Sequence, residues 1–209
     1  MPKPDEPGSG TIPVKLILAS NSAARRQMLS DAGYRFEATA ADIDESALKT
    51  AHLKSGLPAE DLALVLANAK AQAVSINHPV DLVIGSDQIL ICDGKVFTKV
   101  NDLPQAAQQL AQLQGKTHVL ISAIACWQEN QPVFQTSETA TMNMYRLTAK
   151  EIDTYLIETG PSILGSVGCY QIEAKGIRLF EEIQGSHFAI MGMPLTPLVK
   201  FLKTQGNLQ

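Results

Sequence analysis

The chain of 209 residues is 45% apolar, enough to bury a substantial core in one large or two small domains. With 17 basic against 21 acidic residues its formal charge is −4, which excludes the polybasic field that holds long nucleic acids and turns attention to a small ligand. No apolar run approaches the roughly 18 residues that span a bilayer, and residues 1–10 lack the apolar core of a signal peptide, so no membrane partner and a cytoplasmic location are expected.

In chain order, residues 1–10 are rich in Pro, Gly and polar residues and read as a disordered tail, with one domain over 11–209. The apolar run 14–19 predicts a strand and 23–32 a helix capped by Ser22, with 36–40 a second strand. The acidic segment Asp42-Ile43-Asp44-Glu45 follows. Between Pro58 and Ile76, residues Leu62, Val65, Leu66, Ala69, Ala73 and Ile76 recur at helical spacing. On that helix Lys70 projects about 40° outside the apolar arc, so that its stem packs while its ammonium reaches a neighbouring cleft.

Residues 81–92 read as an apolar strand broken in the middle by Gly85-Ser86-Asp87-Gln88, with room left there for a ligand. Asp93-Gly94 is a hairpin turn that returns the chain through 95–97 and brings Lys99 back beside Asp87. A helix over 103–113 stops at Gly115, strands over 119–127 and 132–145 pair as an antiparallel hairpin, and Thr148 caps a helix running to Glu158. Gly160-Pro161 breaks that helix, and a last one follows Pro194. The alternation at the start followed by a long hairpin predicts an α/β fold with a mixed sheet. Cys92, Cys126 and Cys169, odd in number and set among apolar or small residues, read as buried thiols, and the four dispersed histidines show no metal-ligand spacing.

The candidate chemistry begins at Ser20-Asn21-Ser22-Ala23-Ala24-Arg25-Arg26, between the first strand and the first helix. Unpaired helix N–H groups beside two guanidinium groups make an anion seat; the competing reading is an ordinary capped helix with two solvated arginines. Asp87 is the leading acid, because a carboxylate inside an apolar strand is costly unless it is paired, metal-bound or exposed at a cleft. Its alternative is a chain-turning Asp whose oxygens accept from backbone N–H groups. Glu45 is either a second functional carboxylate or part of a solvated acidic run. Together these groups have the logic of polyphosphate chemistry: cations and helix N–H groups neutralise phosphates, and carboxylates hold a hard divalent cation or accept a proton from water. There is no G-x-x-x-x-G-K-[ST] loop and no G-x-S-x-G elbow.

These motifs, in this order, resemble the Maf-type nucleotide pyrophosphatases: Leu18-Ala19-Ser20-x-Ser22 with Arg25-Arg26, Asp42-Ile43-Asp44-Glu45, Leu66-Ala67-x-x-Lys70-Ala71, Ile84-Gly85-Ser86-Asp87-Gln88, Asp93-Gly94 with Lys99, and Ile183-x-Gly185-Ser186 leading to Gly192-Met193-Pro194-Leu195. The resemblance implies an elongated two-lobed α/β fold, like that of the inosine triphosphate pyrophosphatases, with a central cleft. It also implies hydrolysis of a nucleoside triphosphate to the monophosphate and pyrophosphate with Mg²⁺ or Mn²⁺, and suggests a homodimer. On this reading Asp87 is the proton acceptor, Glu45 and Asp87 bind the metal, and Ser20, Arg25, Lys70 and Lys99 hold the phosphates. Ala24, Gln88 and Glu173 match the family's specificity positions. Gln88 and Glu173 resemble the branch acting on 7-methyl-GTP, whereas the branch for dTTP and UTP has Thr and Gln there. Ala24 departs from the Trp of the first branch, Ala23 stands where the family has Pro, and Thr98-Lys99-Val100 stands for Gly-Lys-Pro. A second implied function is a nucleotide-binding regulator of cell division with little turnover.

Overall fold

The computed structural model describes residues 14–206; the tail expected over residues 1–10 lies outside them. Strand β1 (Leu16–Leu18) is central to a small parallel patch, paired with β2 (Glu37–Ala38) on one side and with the start of β3 (Leu82–Cys92) on the other. Every residue of β1 is buried, as an apolar run without alternation requires when both faces of a sheet are covered. Beyond β3 the sheet turns antiparallel through β5 (Thr117–Gln128), β6 (Gln131–Met144) and β7 (Phe180–Gln184), while the short β4 (Lys95–Phe97) pairs with the far end of β3. The mixed sheet is the expected one.

Both hairpin turns follow from their residues. Asp93-Gly94 and Glu129-Asn130 carry positive φ at both central positions (50° and 71°, 52° and 58°), which matches the right-handed twist of the flanking strands. Helix α1 (Ala23–Asp31) is capped by Ser22, and helix α4 (Leu103–Leu113) by Asp102 with Pro104 in its first turn. In α5 (Ala149–Thr159), Thr148 and Glu151 form a reciprocal capping box. Helix α7 (Leu195–Leu202) follows Pro194 as expected.

Four elements depart from the sequence reading. Residues after Asp44 form helix α2 (Glu45–Lys54), with the Asp44 carboxylate accepting from the Ala47 N–H. The segment 180–184 adds β7, and α6 (His187–Ile190) is a single turn of helix. The long helix α3 (Leu62–Ser75) begins after a 3₁₀ turn over 59–61, and its buried face differs from the predicted arc. Leu62, Leu66, Ala67, Ala71 and Val74 are buried, whereas Val65 and Ile76 are exposed. Lys70 therefore belongs to the packed face itself, which moves from outside the arc to the helix–sheet interface.

Three apolar clusters define two lobes. One packs α3 on β1, β3 and β5, and a second packs α1 and α7 on the opposite face of the same end of the sheet. The third lies at the other end, where Leu90, Leu120, Ala140 and Met142 from the far halves of β3, β5 and β6 meet α4, α5 and the 163–172 segment. The strands run through both lobes, and Asp87 sits at the middle of β3 where they join.

Candidate active site

The polar break in β3 separates into two faces by the period of a strand. Gly85 and Asp87 point to the α3 side, Ser86 and Gln88 to the other. Gly85 does not make room for a ligand, as its place beside Asp87 suggested. A Cβ there would stand 2.0 Å from the Ala67 carbonyl oxygen and 2.7 Å from the Ala71 nitrogen, so the glycine lets α3 lie directly on the strand. That close approach brings Lys70, on the same face of α3, onto Asp87.

The Lys70 ammonium donates to Asp87 Oδ1 and lies 2.9 Å from Glu45 Oε1. Both Lys70 and Asp87 are buried, so each charge is stabilised by its partner. Glu45 comes from the first turn of α2 and is less enclosed, with Lys49 one turn further along 3.7 Å from its second oxygen. Burial pushes the Glu45 pKa up, but the Lys70 hydrogen bond and the charges of Lys70, Lys49 and Lys99 outweigh it and hold the carboxyl below its ordinary value. The alternative of an Asp87 bonded to backbone N–H groups is not what the structure shows.

At the junction of β1 and α1 the two arginines differ. Arg25 is buried: Nε donates to the Gly192 carbonyl at 2.8 Å, and Nη1 to the Ser86 carbonyl at 2.8 Å and to Ser20 Oγ at 3.3 Å. Burial lowers its pKa, while Asp87 and Glu45 pull it back up. Among the described residues Nη2 has no hydrogen-bond partner. Arg26 is exposed and donates to the Asn21 carbonyl. Ser22 Oγ accepts from the Arg25 N–H, and Ser20 Oγ from the Ser22 N–H. Lys99, two residues beyond the β4 pairing of Phe97 with Leu90, completes the cation group. Its residue surface is largely exposed, yet desolvation where it lines the cleft lowers its pKa. Repulsion from Arg25 and Lys70 adds to this, and Asp87 and Glu45 oppose it.

All the residues singled out from the sequence line one cavity of about 830 Å³: Ser20, Ala24, Arg25, Glu45, Lys70, Asp87, Gln88, Lys99 and Glu173. The volume is that of a site for a nucleotide-sized ligand. Beside these charged groups the 162–173 segment contributes Tyr170, Ile172 and Glu173 to the lining. Tyr170 is held by a 2.7 Å hydrogen bond between its hydroxyl and His118 Nε2, and by edge contact with Phe180. Burial lowers the His118 pKa to about 4, so the imidazole is neutral at pH 7.

Gln88 lines the cavity, but its amide nitrogen is turned onto Ser122 Oγ and the Ala189 and Ile190 carbonyls, at 3.1, 2.9 and 2.9 Å. Ser86, Ser122 and Gly192, which support this wall, did not emerge as site residues from sequence; only the Gly192-Met193-Pro194 punctuation marked the region. Among the described residues no group of three or more His, Cys, Asp or Glu gathers as a metal site, and no helix is long and apolar enough to cross a membrane.

A family model described as "Maf-like protein" matches residues 15–205. A nucleoside triphosphate pyrophosphatase of Granulibacter bethesdensis is 41% identical over 190 residues, covering 91% of this chain and 96% of the relative. A 7-methyl-GTP pyrophosphatase of Rhizobium johnstonii is 44% identical over 192 residues, covering 92% and 96%. A nucleoside triphosphate pyrophosphatase of Bradyrhizobium diazoefficiens is 44% identical over 190 residues, covering 91% and 93%. The match spans both lobes and every residue of the cleft, and on it the chain is an enzyme, a hydrolase, and belongs to the Maf-like family.

Proposed function

We propose that the chain hydrolyses a nucleoside triphosphate between its α and β phosphorus atoms, giving the monophosphate and pyrophosphate. The observation that carries this reading is the buried Lys70–Asp87 pair, with Glu45 on the same ammonium, lining one cavity of about 830 Å³ with Arg25 and Lys99. Its relatives named as pyrophosphatases support it. Ser20, Arg25 Nη2, Lys99 and the first N–H groups of α1 bind the phosphates; the cations offset charge that moves onto the departing pyrophosphate. Asp87 accepts the proton of the attacking water. Lys70 fixes that carboxylate in direction, and releases part of its hydrogen bonding to a phosphate oxygen when substrate enters.

The carboxylates of Asp87 and Glu45 converge on a single ammonium, and so stand close enough to serve one cation. Two carboxylates with substrate phosphates suit Mg²⁺ or Mn²⁺, which favour oxygen donors and share their coordination with a nucleotide. Asp87 and Glu45 would hold such an ion, which when bound supplies charge neutralisation at the phosphate oxygens. The base lies against the 162–173 segment, where the Glu173 carboxylate accepts from the N1–H and amine of a guanine. Ala24 offers no ring to stack on a methylated, cationic base, so the substrate is a purine triphosphate with no requirement for an N7 methyl group.

Product analysis with Mg²⁺ or Mn²⁺ on 7-methyl-GTP, GTP, dTTP, UTP and CTP tests this reading. Pyrophosphate and monophosphate, with purines preferred and GTP turned over about as well as 7-methyl-GTP, are expected; orthophosphate as the product overturns it. Asp87→Asn is expected to abolish turnover while still binding nucleotide, and undiminished activity would remove Asp87 from its role.

A further inference from the structure

The end of α6 and the Gly192 turn that follows it are tied to the sheet by a set of hydrogen bonds whose role the chemistry above leaves open. Ser122, fully buried on β5, donates to the Ala189 carbonyl at 2.7 Å, and Gln88, its cross-strand partner on β3, donates to that oxygen and to the Ile190 carbonyl. Two residues on, the Gly192 carbonyl accepts from Ser86 Oγ at 3.0 Å and from Arg25 Nε at 2.8 Å. Gly192 has φ of +107°, a conformation that side-chain-bearing residues rarely adopt, and this turns its carbonyl toward Arg25. Two of the three acceptors of the Gln88 nitrogen are main-chain oxygens, which accept only, and the third is Ser122 Oγ, so that nitrogen is committed to the anchor.

We infer that Ser122 and Gln88 are positioning residues: they anchor the 189–192 turn to β3 and β5, and through the Gly192 carbonyl they set the direction of the Arg25 guanidinium toward the phosphates. Through this anchor Gln88 acts on catalysis for every base alike, in addition to any part its side chain takes in reading one. This rests on the proposed triphosphate hydrolysis for its kinetic test, but has a readout of its own. Arg25 is one of few buried arginines, and its Nε–H, held by Gly192, gives a slowly exchanging side-chain ¹⁵N–¹H signal that Arg25→Lys identifies by its loss.

Gln88→Met keeps the shape of the side chain and removes its donors, Ser122→Ala removes the hydroxyl, and Ser122→Thr restores it. With folding confirmed by urea unfolding, Gln88→Met and Ser122→Ala are expected to lower kcat/KM by roughly ten- to a hundredfold, by the same factor for GTP and UTP. The Arg25 Nε–H signal is expected to shift and exchange faster in both, and Ser122→Thr to recover rate and signal together. A loss confined to one base, or an Arg25 signal unchanged in both variants, overturns the inference. If the wild-type protein releases no pyrophosphate, the functional reading fails by itself, and the Arg25 signal alone decides whether the anchor holds.

Discussion

At the scale of single residues, the cleft places charges whose effects on stability have opposite signs. The Glu45 carboxyl has a lowered pKa in the folded chain, because Lys70, Lys49 and Lys99 outweigh the burial that opposes ionisation. A carboxyl with a depressed folded pKa stabilises the fold above its unfolded pKa, and that contribution is lost as pH falls through the folded value. Glu45→Gln is therefore expected to lower thermal stability at pH 7 and to have no effect below the folded pKa, as melting curves across acidic pH will show. Lys99 behaves in reverse: desolvation and the neighbouring Arg25 and Lys70 lower its pKa, so its charge costs stability at pH 7. Lys99→Met is expected to raise the melting temperature of the ligand-free protein while weakening triphosphate binding. The gain should shrink as pH rises through the lowered pKa toward the ordinary lysine value. A variant both less stable and unimpaired in binding would contradict that account. This combination of greater stability with poorer function is what a site of crowded like charges produces. The sequence made Lys99, Arg25 and Asp87 visible because each is a charge set in an apolar or small-residue context. It left Ser122 unread and Gly192 without a partner, although the Gly192-Met193-Pro194 motif was visible, because a serine in a strand and a glycine before Met-Pro carry no mark of the residues 67 and 106 positions away that they bind.

At the scale of elements, helix α3 and strand β3 form the joint on which the chemistry depends. The joint rests on Gly85, since the Ala67 carbonyl and the Ala71 nitrogen occupy the space of a side chain. Gly85→Ala cannot be relieved by a rotamer change, because backbone stands in the way, so α3 must move off the sheet. Overpacking of this kind is expected to cost about 1–3 kcal/mol or more, and it draws Lys70 away from Asp87. Urea unfolding measures the first effect, and a rise in KM together with a fall in kcat measures the second. Gly33→Ala, at a glycine with nothing within 4 Å of the added carbon, separates steric displacement from the strain of a positive φ, here 82°. Periodicity located α3 and its buried Leu62 and Leu66 but rotated the rest of the stripe away from Ala67, Lys70 and Ala71, because the arc was drawn through the bulkier Val65 and Ile76. The small residues Ala67 and Ala71 face a glycine, so the tightest contact in this lobe is made by the least hydrophobic positions. Helix α2 escaped a reading by apolar pattern, although Asp44 as its N-cap was a legible signal. Strand β7 is half exposed at the sheet edge and pairs only with 141–144, so nothing local marked it.

At the scale of the whole molecule, the two sides of the cleft belong to different cores. Ser20, Arg25, Lys70 and Asp87 are mounted on the clusters built around α1, α3 and the near half of β3. The 162–173 segment is fastened to the far cluster through Ile163, Val167, Cys169, Tyr170 and Ile172. On the proposed function, affinity for phosphates and choice of base are thus carried mostly by separately packed bodies, joined by the continuous strands β3, β5 and β6; Lys99, between Phe97 and Val100 of the far cluster, reaches the phosphates from the second body. Inorganic tripolyphosphate, which has no base, is then a probe of the phosphate-binding groups alone. Glu173→Gln is expected to weaken GTP relative to UTP, by roughly the 5- to 30-fold that 1–2 kcal/mol represents, and to leave inhibition by tripolyphosphate unchanged. Arg25→Lys, which loses the fork shared between Gly192, Ser86 and the phosphates, is expected to weaken tripolyphosphate and all nucleotides alike while preserving the ratio of GTP to UTP. Inhibition constants and kcat/KM for both variants, measured side by side, check the separation. A change in tripolyphosphate inhibition with Glu173→Gln, or a changed base ratio with Arg25→Lys, would mean that the two lobes act as one surface.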